Sequence, residues 1–348
     1  MVIAFDDEIP AALESQFDDL FERYEALKHL DDPHAVTAAA ESIYRDATEL
    51  DYPQLMVMAL GKLYSAQWDL GARAESLTTY VRFNQIATKY RAALYPDLAG
   101  IARLYVVISL DTLLDMPDVP LSRIHALVDT VEQQSRAEGD PLDVAYLCRA
   151  IVAMQTGDPD GARRWREKWH AAEPYDSALP RVAAANLGAS IAGSFDPQLA
   201  VAALETTGPY DAMQEHDAIA LRSHRAFRLA LVGRVVEAEE EAVAVMRQYP
   251  HDLIEQEATH INLLRALEGR GDFAELILGW MADDIAADAP AREYESQAIA
   301  ARYFLRSAQT RERGLALKEV ALRNAALFDA RNGNTFVTDS IGRNHFSD

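Results

Sequence analysis

The chain has 348 residues, 49% hydrophobic and 25% charged, fractions that exclude a disordered chain, a collagen and a disulfide scaffold. The length suits two average domains or one elongated repeat array. Lys and Arg number 33 against 55 Asp and Glu, a formal net charge of −22, and that field repels phosphate, which disfavours non-specific binding to nucleic acid or to an anionic membrane.

The opening residues carry no basic segment and turn acidic at Asp6, Asp7 and Glu8, unlike a signal peptide. No apolar run reaches the roughly 18–20 residues of a membrane span, and the longest, Leu104 to Leu110, reads as a helix core. A single cysteine, Cys148, precludes an intrachain disulfide. Its apolar setting, Val144 to Leu147, marks a small buried hydrophobe rather than a nucleophile. A cytoplasmic protein is expected.

The first clear element is a stripe through Val36, Ala39, Ala40, Ile43, Ala47 and Leu50, in steps of three and four. Ala238, Ala242, Val245 and Tyr249 repeat that spacing far downstream. Each stripe marks the buried face of an amphipathic helix. Alternating strand patterns are nearly absent, and good helix formers dominate, so the fold class is all-α. Turn signals follow in order at Asp31-Asp32-Pro33, Gly71, Asp115-Met116-Pro117, Gly157-Asp158-Pro159, Gly193-Ser194, Gly233 and Gly271-Asp272, with a weaker one near Thr310. Between them fall breaks of a second kind, at Pro53, Pro96, Pro141, Pro174, Pro209, Pro250 and Pro290. Helix, tight turn, helix and Pro-marked loop thus alternate about every 40 residues, which predicts an array of helical hairpins.

Finer marks recur. Gly157, Ala162 and Pro174 have the same spacing as Gly233, Ala238 and Pro250, and Gly271-Asp272-Phe273 keeps the turn alone. Gly suits the turn, a small Ala lets the second helix press close, and Pro ends that helix. Leu60-Gly61-Lys62-Leu63-Tyr64 adds a first-helix pattern with Gly and an aromatic three apart. These residues resemble the tetratricopeptide repeat family over residues 15–330, in degenerate copies whose period exceeds that family's, about 34. The resemblance implies a right-handed superhelix, an α-solenoid, with HEAT-like repeats as the alternative. A single domain is expected over 1–330. The tail, 331–348, lacks a helical stripe and is expected to be poorly ordered or loosely packed.

Chemistry-bearing motifs are sparse. Glu167 with His170, and Glu257 with His260, have the spacing of di-metal helical bundles. They lie in non-neighbouring repeats, so no shared metal is expected. No phosphate-binding loop, dinucleotide fingerprint or nucleophile elbow occurs, and neither an enzyme nor a cofactor is expected. Trp165 and Trp169, four apart, read as a stripe packing on the next repeat. Thr338-Asp339-Ser340-Ile341-Gly342-Arg343-Asn344 resembles the opening of bacterial diguanylate cyclase domains. That resemblance implies kinship with the sensor half of such a regulator, without cyclase activity in this chain.

In tetratricopeptide-like arrays the first helix of each hairpin lines the concave surface. The first helices carry Lys62, Arg103, Arg149, Arg222, Arg225, Arg265 and Arg302, with Arg228 and Arg306 besides, while Glu237, Glu239, Glu240 and Glu241 crowd a second helix expected to face outward. The expectation is a concave groove whose Arg residues, some without intramolecular carboxylates, grip an acidic protein or peptide by bidentate hydrogen bonds. The alternative function is a ligand-sensing regulator closing on a small molecule or signalling peptide. An open groove favours the first and an enclosed pocket the second.

Overall fold

The computed structural model describes residues 13–172, 181–207, 213–249, 254, 257–286 and 289–346, with the backbone alone at 96, 97, 99–104, 181 and 257. Among them it is helical throughout, without strands. No helix among them is long and apolar enough to cross a membrane.

Contacts divide the described helices into two compact units, one up to Thr112 and one from Leu113 onward. The first contains α1 (Glu14–Leu27), α2 (Pro33–Glu49), α3 (Pro53–Asp69), α4 (Arg73–Lys89) and most of α5 (Pro96–Leu114). Its core gathers Phe17, Leu20, Ile43, Leu55, Leu60, Leu63 and Phe83. The stripe read from α2 buries Ala40, Ile43 and Ala47.

The second unit contains α6 (Leu121–Glu138), α7 (Asp143–Thr156), α8 (Pro159–Ala171), α9 (Arg181–Gly193), α10 (Pro197–Glu205), α11 (Glu215–Leu231), α12 (Val235–Gln248), α13 (Glu257–Ala266), α14 (Gly271–Trp280), α15 (Tyr294–Leu305), α16 (Arg311–Asn332) and α17 (Phe336–Ile341), then a π turn (Gly342–Phe346). Helices α7, α9, α11, α13 and α15 each pack on the helix that follows, and each also touches the next of their own row. The turn signals at Gly157, Gly193, Gly233, Gly271 and Thr310 fall at the junctions of these pairs, and the earlier ones at 31–33, Gly71 and 115–117 fall at the junctions of α1 with α2, α3 with α4 and α5 with α6.

The local reasons are legible. Helices α2, α8 and α10 open on the same Asp-Pro pair: Asp32, Asp158 and Asp196 accept hydrogen bonds from backbone N–H groups of the first turn, and Pro occupies the first helical position, where no N–H is needed. Ala162 and Ala238, the small residues expected to let helices press close, are fully buried. Between α15 and α16 the approach is tighter still. Gly314 meets the backbone at Leu305, and Ala298, Ala321 and Ala325 have no exposed surface.

The C-terminal residues depart from expectation. In place of a loosely packed tail, α16 runs to Asn332, the chain turns at Gly333, and α17 and the π turn fold back over the unit. Asp329 organises the turn. Its carbonyl accepts from the N–H groups of Gly333 and Asn334, and its carboxylate accepts from those of Val337 at 2.8 Å and Thr338 at 3.0 Å. Val337 and Ile341 are buried with Phe328, Ala321 and Ala325, each contributing about 1.5–3 kcal/mol by leaving water. A Gly/Asn-rich segment without a stripe was held by long-range partners that composition alone does not reveal.

Candidate functional site

Five of the Arg residues expected to wait in a groove are paired within the chain. Arg149 bonds Glu132 and, at 2.9 Å, Asp129, both on α6. Arg136 and Arg149 together hold the Glu132 carboxyl below the usual range. Arg222 and Arg225 both reach Glu241 on α12 at 2.6 Å, so Glu241 turns inward rather than outward. Arg265 and Arg302 share Glu268 at 2.6 Å, with Arg306 at 3.4 Å. The physical reason is proximity: acids on the neighbouring helix lie within reach of long guanidinium arms, and a desolvated charge finds the nearest opposite one. In the first unit, Lys62 is half-buried on α3, while the side chain of Arg103 on α5 lies outside the described residues.

Arg228 behaves differently. It stands on α11 inside a cavity of the second unit, in two lobes of about 280 and 270 Å³ that share Ser190, Phe227, Arg228 and Glu295 as walls. Protein surrounds the guanidinium, yet part of its surface still faces the cavity, so it is half-buried by accessible area. Its Nε donates to His224 Nε2 at 2.9 Å, and His224 Nδ1 lies 3.1 Å from Asn186 Oδ1. An arginine N–H can only donate, so His224 Nε2 is the acceptor, and the ring proton resides on Nδ1, pointing at Asn186. Burial, reinforced by the Arg228 charge, holds the His224 pKa well below its ordinary value. Burial also draws Arg228 down to about 10, against the opposing field of Glu295, and leaves it cationic at neutral pH.

No carboxylate among the described residues forms an ion pair with Arg228. Room for it comes from Gly193, where a Cβ would overlap the guanidinium. The cavity's other side is the C-terminal segment. Phe336, Val337, Ser340, Ile341, Asn344 and His345 line the second lobe. His345 is only 2% exposed, and neither ring nitrogen has a hydrogen-bond partner among the described residues. Glu295 Oε1 stands 4.0 Å from its Nε2. Burial, with Arg265 and Arg302 nearby, lowers the His345 pKa to about 3.

This segment is tied across the unit. Arg331 donates to the carbonyls of Leu114 and Met116, Asn332 to that of Gln155, and Asn334 to that of Thr156. Those last two satisfy carbonyls at the end of α7, which has no intrahelical donor for them. Phe336 lies over Gly157, whose φ of +78° and missing side chain leave the space that a Cβ would take.

The remaining motifs lie apart from this cavity. Cys148 is buried, and desolvation raises its thiol to about 12, too high for a nucleophile. Glu167 and His170 are exposed on α8. His260 is buried with Nε2 at 2.5 Å from the Ile254 carbonyl, and the side chain of Glu257 lies outside the described residues. No cluster among the described residues groups metal ligands. Trp165 is half-buried rather than core, stacked on Tyr146 with Lys168 over its ring; Trp169 is half-buried against His170.

Sequence reasoning counted Arg228 among first-helix arginines without separating it from them. The available signal was His224 four residues earlier on the same face. His345 was hidden in the segment expected to fray. Set against protein-family models and curated proteins, the sequence matches none.

Proposed function

We propose that the protein is a non-enzymatic, cytoplasmic binding module of tetratricopeptide type. In this reading α7, α9, α11, α13 and α15 form the inner wall of a right-handed α-solenoid, and a peptide segment is what that wall recognises. The observation that carries the reading is the chain's own C-terminal segment, seated between α7 and α15 by side-chain caps and by Phe336, Val337 and Ile341. A wall that provides carbonyl acceptors and apolar seats for one peptide is equipped for another of similar pattern. The net charge of −22 argues for a peptide over a nucleic acid. The inner-wall arginines of this unit that meet Glu132, Glu241 and Glu268 are neutralised, so in this reading the wall grips the peptide through its backbone carbonyls and apolar seats.

The test uses the full chain carrying Phe336→Ala and Ile341→Ala, which loosens the resident segment. A labelled synthetic peptide of residues 333–346 should bind it saturably by fluorescence anisotropy, more weakly to the parent chain, and be displaced by unlabelled peptide. An opened chain that shows no saturable binding refutes the peptide reading. The second reading, a ligand-sensing regulator, is favoured by the polar cavity beneath the segment, which a peptide lying over it leaves unfilled.

A further inference from the structure

We propose that the cavity between α9, α11, α15 and the C-terminal segment is a binding site for a small monocarboxylate, gripped by the Arg228 guanidinium and contacted by the His345 ring. It is a site distinct from the peptide seat above it and does not depend on that reading.

Three observations carry it. First, Arg228 is held by a neutral acceptor. His224 takes its Nε–H and is itself placed beside Asn186, and Arg228 lines both lobes with no carboxylate in ion-pair range among the described residues. A cation surrounded by protein whose nearest anion, Glu295, stands outside ion-pair range is costly, and an anion in direct contact lowers that cost. Second, His345 is buried with both nitrogens unpartnered among the described residues, and it faces the same lobe. A buried polar group without a partner costs roughly 1–3 kcal/mol, and a ligand oxygen accepting its ring N–H restores the bond. Third, the space is right: lobes of about 280 and 270 Å³ exceed the roughly 30 Å³ share of a water many times over.

Charge selects the class. Glu295 borders both lobes, so the site offers one fixed cation beside one fixed anion. A dianionic phosphate would meet about twice the repulsion from Glu295 that a monoanion meets at the same distance. A planar guanidinium fork also matches a carboxylate in two parallel bonds.

The experiment titrates the full-length protein with sodium propionate, inorganic phosphate and neutral propionamide at constant ionic strength, reading the thermal midpoint and calorimetric heat. Propionate should raise the midpoint saturably, with phosphate at least tenfold weaker and propionamide without effect. Arg228→Gln should weaken propionate at least tenfold, and His345→Phe by severalfold. Should Arg228→Gln fail to fold, Ser190→Leu decides, because it fills both lobes without touching the charge and should abolish the response. A non-saturable response, equal responses of the parent chain and Ser190→Leu, or phosphate binding as tightly as propionate each overturns the proposal.

Discussion

His224 Nε2 accepts the Nε–H of Arg228 at 2.9 Å, one turn apart on α11. The bond has two consequences: the imidazole is neutral with its proton on Nδ1 toward Asn186, and the guanidinium is steadied beside the cavity it lines. An arginine is thus positioned without being neutralised, which separates it from Arg149, Arg222, Arg225, Arg265 and Arg302, each spent on a carboxylate.

Two buried neutral histidines make stability fall in acid. Arg228 and Asn186 face His224; Arg265, Arg302 and Glu295 face His345. Both folded pKa values lie below the unfolded value of about 6.5. As pH drops, the unfolded chain therefore takes up protons first. Stability is unaffected by these groups above about 6.5 and is lost as pH falls from there through the folded value, about 3 for His345. Each group contributes at most about 1.4 kcal/mol per pH unit. Urea unfolding at pH 7.5, 6 and 5 should show His224→Gln and His345→Gln each flattening the slope by one proton. Slopes that match the parent chain would mean that the rings titrate alike folded and unfolded.

Gly157 and Gly233 offer an internal comparison. Both have positive φ, +78° and +81°, so alanine strains the backbone at each by about 1 kcal/mol. Only Gly157 has a neighbour in the way, the Phe336 ring; nothing lies within 4 Å at Gly233. Gly157→Ala should therefore be the costlier change by about 1–3 kcal/mol in chemical denaturation. Adding Phe336→Ala should erase most of that difference, and equal costs in the single variants would show that Phe336 yields freely.

The helices and their turns were legible because punctuation is local. Asp-Pro at 32–33 and 158–159 caps and starts a helix wherever it occurs, and Gly71, Gly157 and Gly233 adopt the left-handed turns their positions demand. The site was not legible, because its members are 186, 224, 228, 295 and 345, joined only by tertiary packing. Nor does sequence say whether an arginine is paired. Arg225 and Arg228 lie three apart on one helix, yet Glu241 is within reach of the first alone. The tail misled for a related reason: its order comes from Asp329 and the end of α7, neither of which leaves a mark in its composition.

Asp329 should control the C-terminal segment. Its carboxylate holds the N–H groups of Val337 and Thr338 at the start of α17, and hydrogen bonds to a charged group contribute about 1.5–3 kcal/mol each. Asp329→Ala should expose Arg343 to trypsin under native conditions at least tenfold faster, with global stability reduced by about 2–4 kcal/mol. Asp329→Asn, which keeps one acceptor oxygen, should fall between. Cleavage at Arg343 unchanged in Asp329→Ala would show that Val337 and Ile341 hold the segment unaided.

Glu268 gathers three cations on one carboxylate. Arg265 and Arg302 share Oε1 at 2.6 Å and Arg306 approaches Oε2 at 3.4 Å, with Glu268 only 10% exposed. The anion therefore links α13 to α15, and it offsets mutual repulsion that no other element of the cluster relieves in these pairings. Removing it leaves sheltered guanidinium groups facing one another. Glu268→Gln keeps the shape and one acceptor oxygen, so its cost isolates the charge. Breaking a buried pair from one side costs about 3–5 kcal/mol; partial exposure of Arg302 and Arg306 lowers the expectation here to about 2–4. Arg306→Ala, at the exposed margin, should cost under about 1 kcal/mol. High salt should recover part of the Glu268→Gln loss by screening the repulsion and leave Arg306→Ala unchanged. Chemical denaturation of both variants at low and high ionic strength measures this, and a Glu268→Gln loss as small as that of Arg306→Ala would mean the three arginines are held by packing rather than by the shared carboxylate.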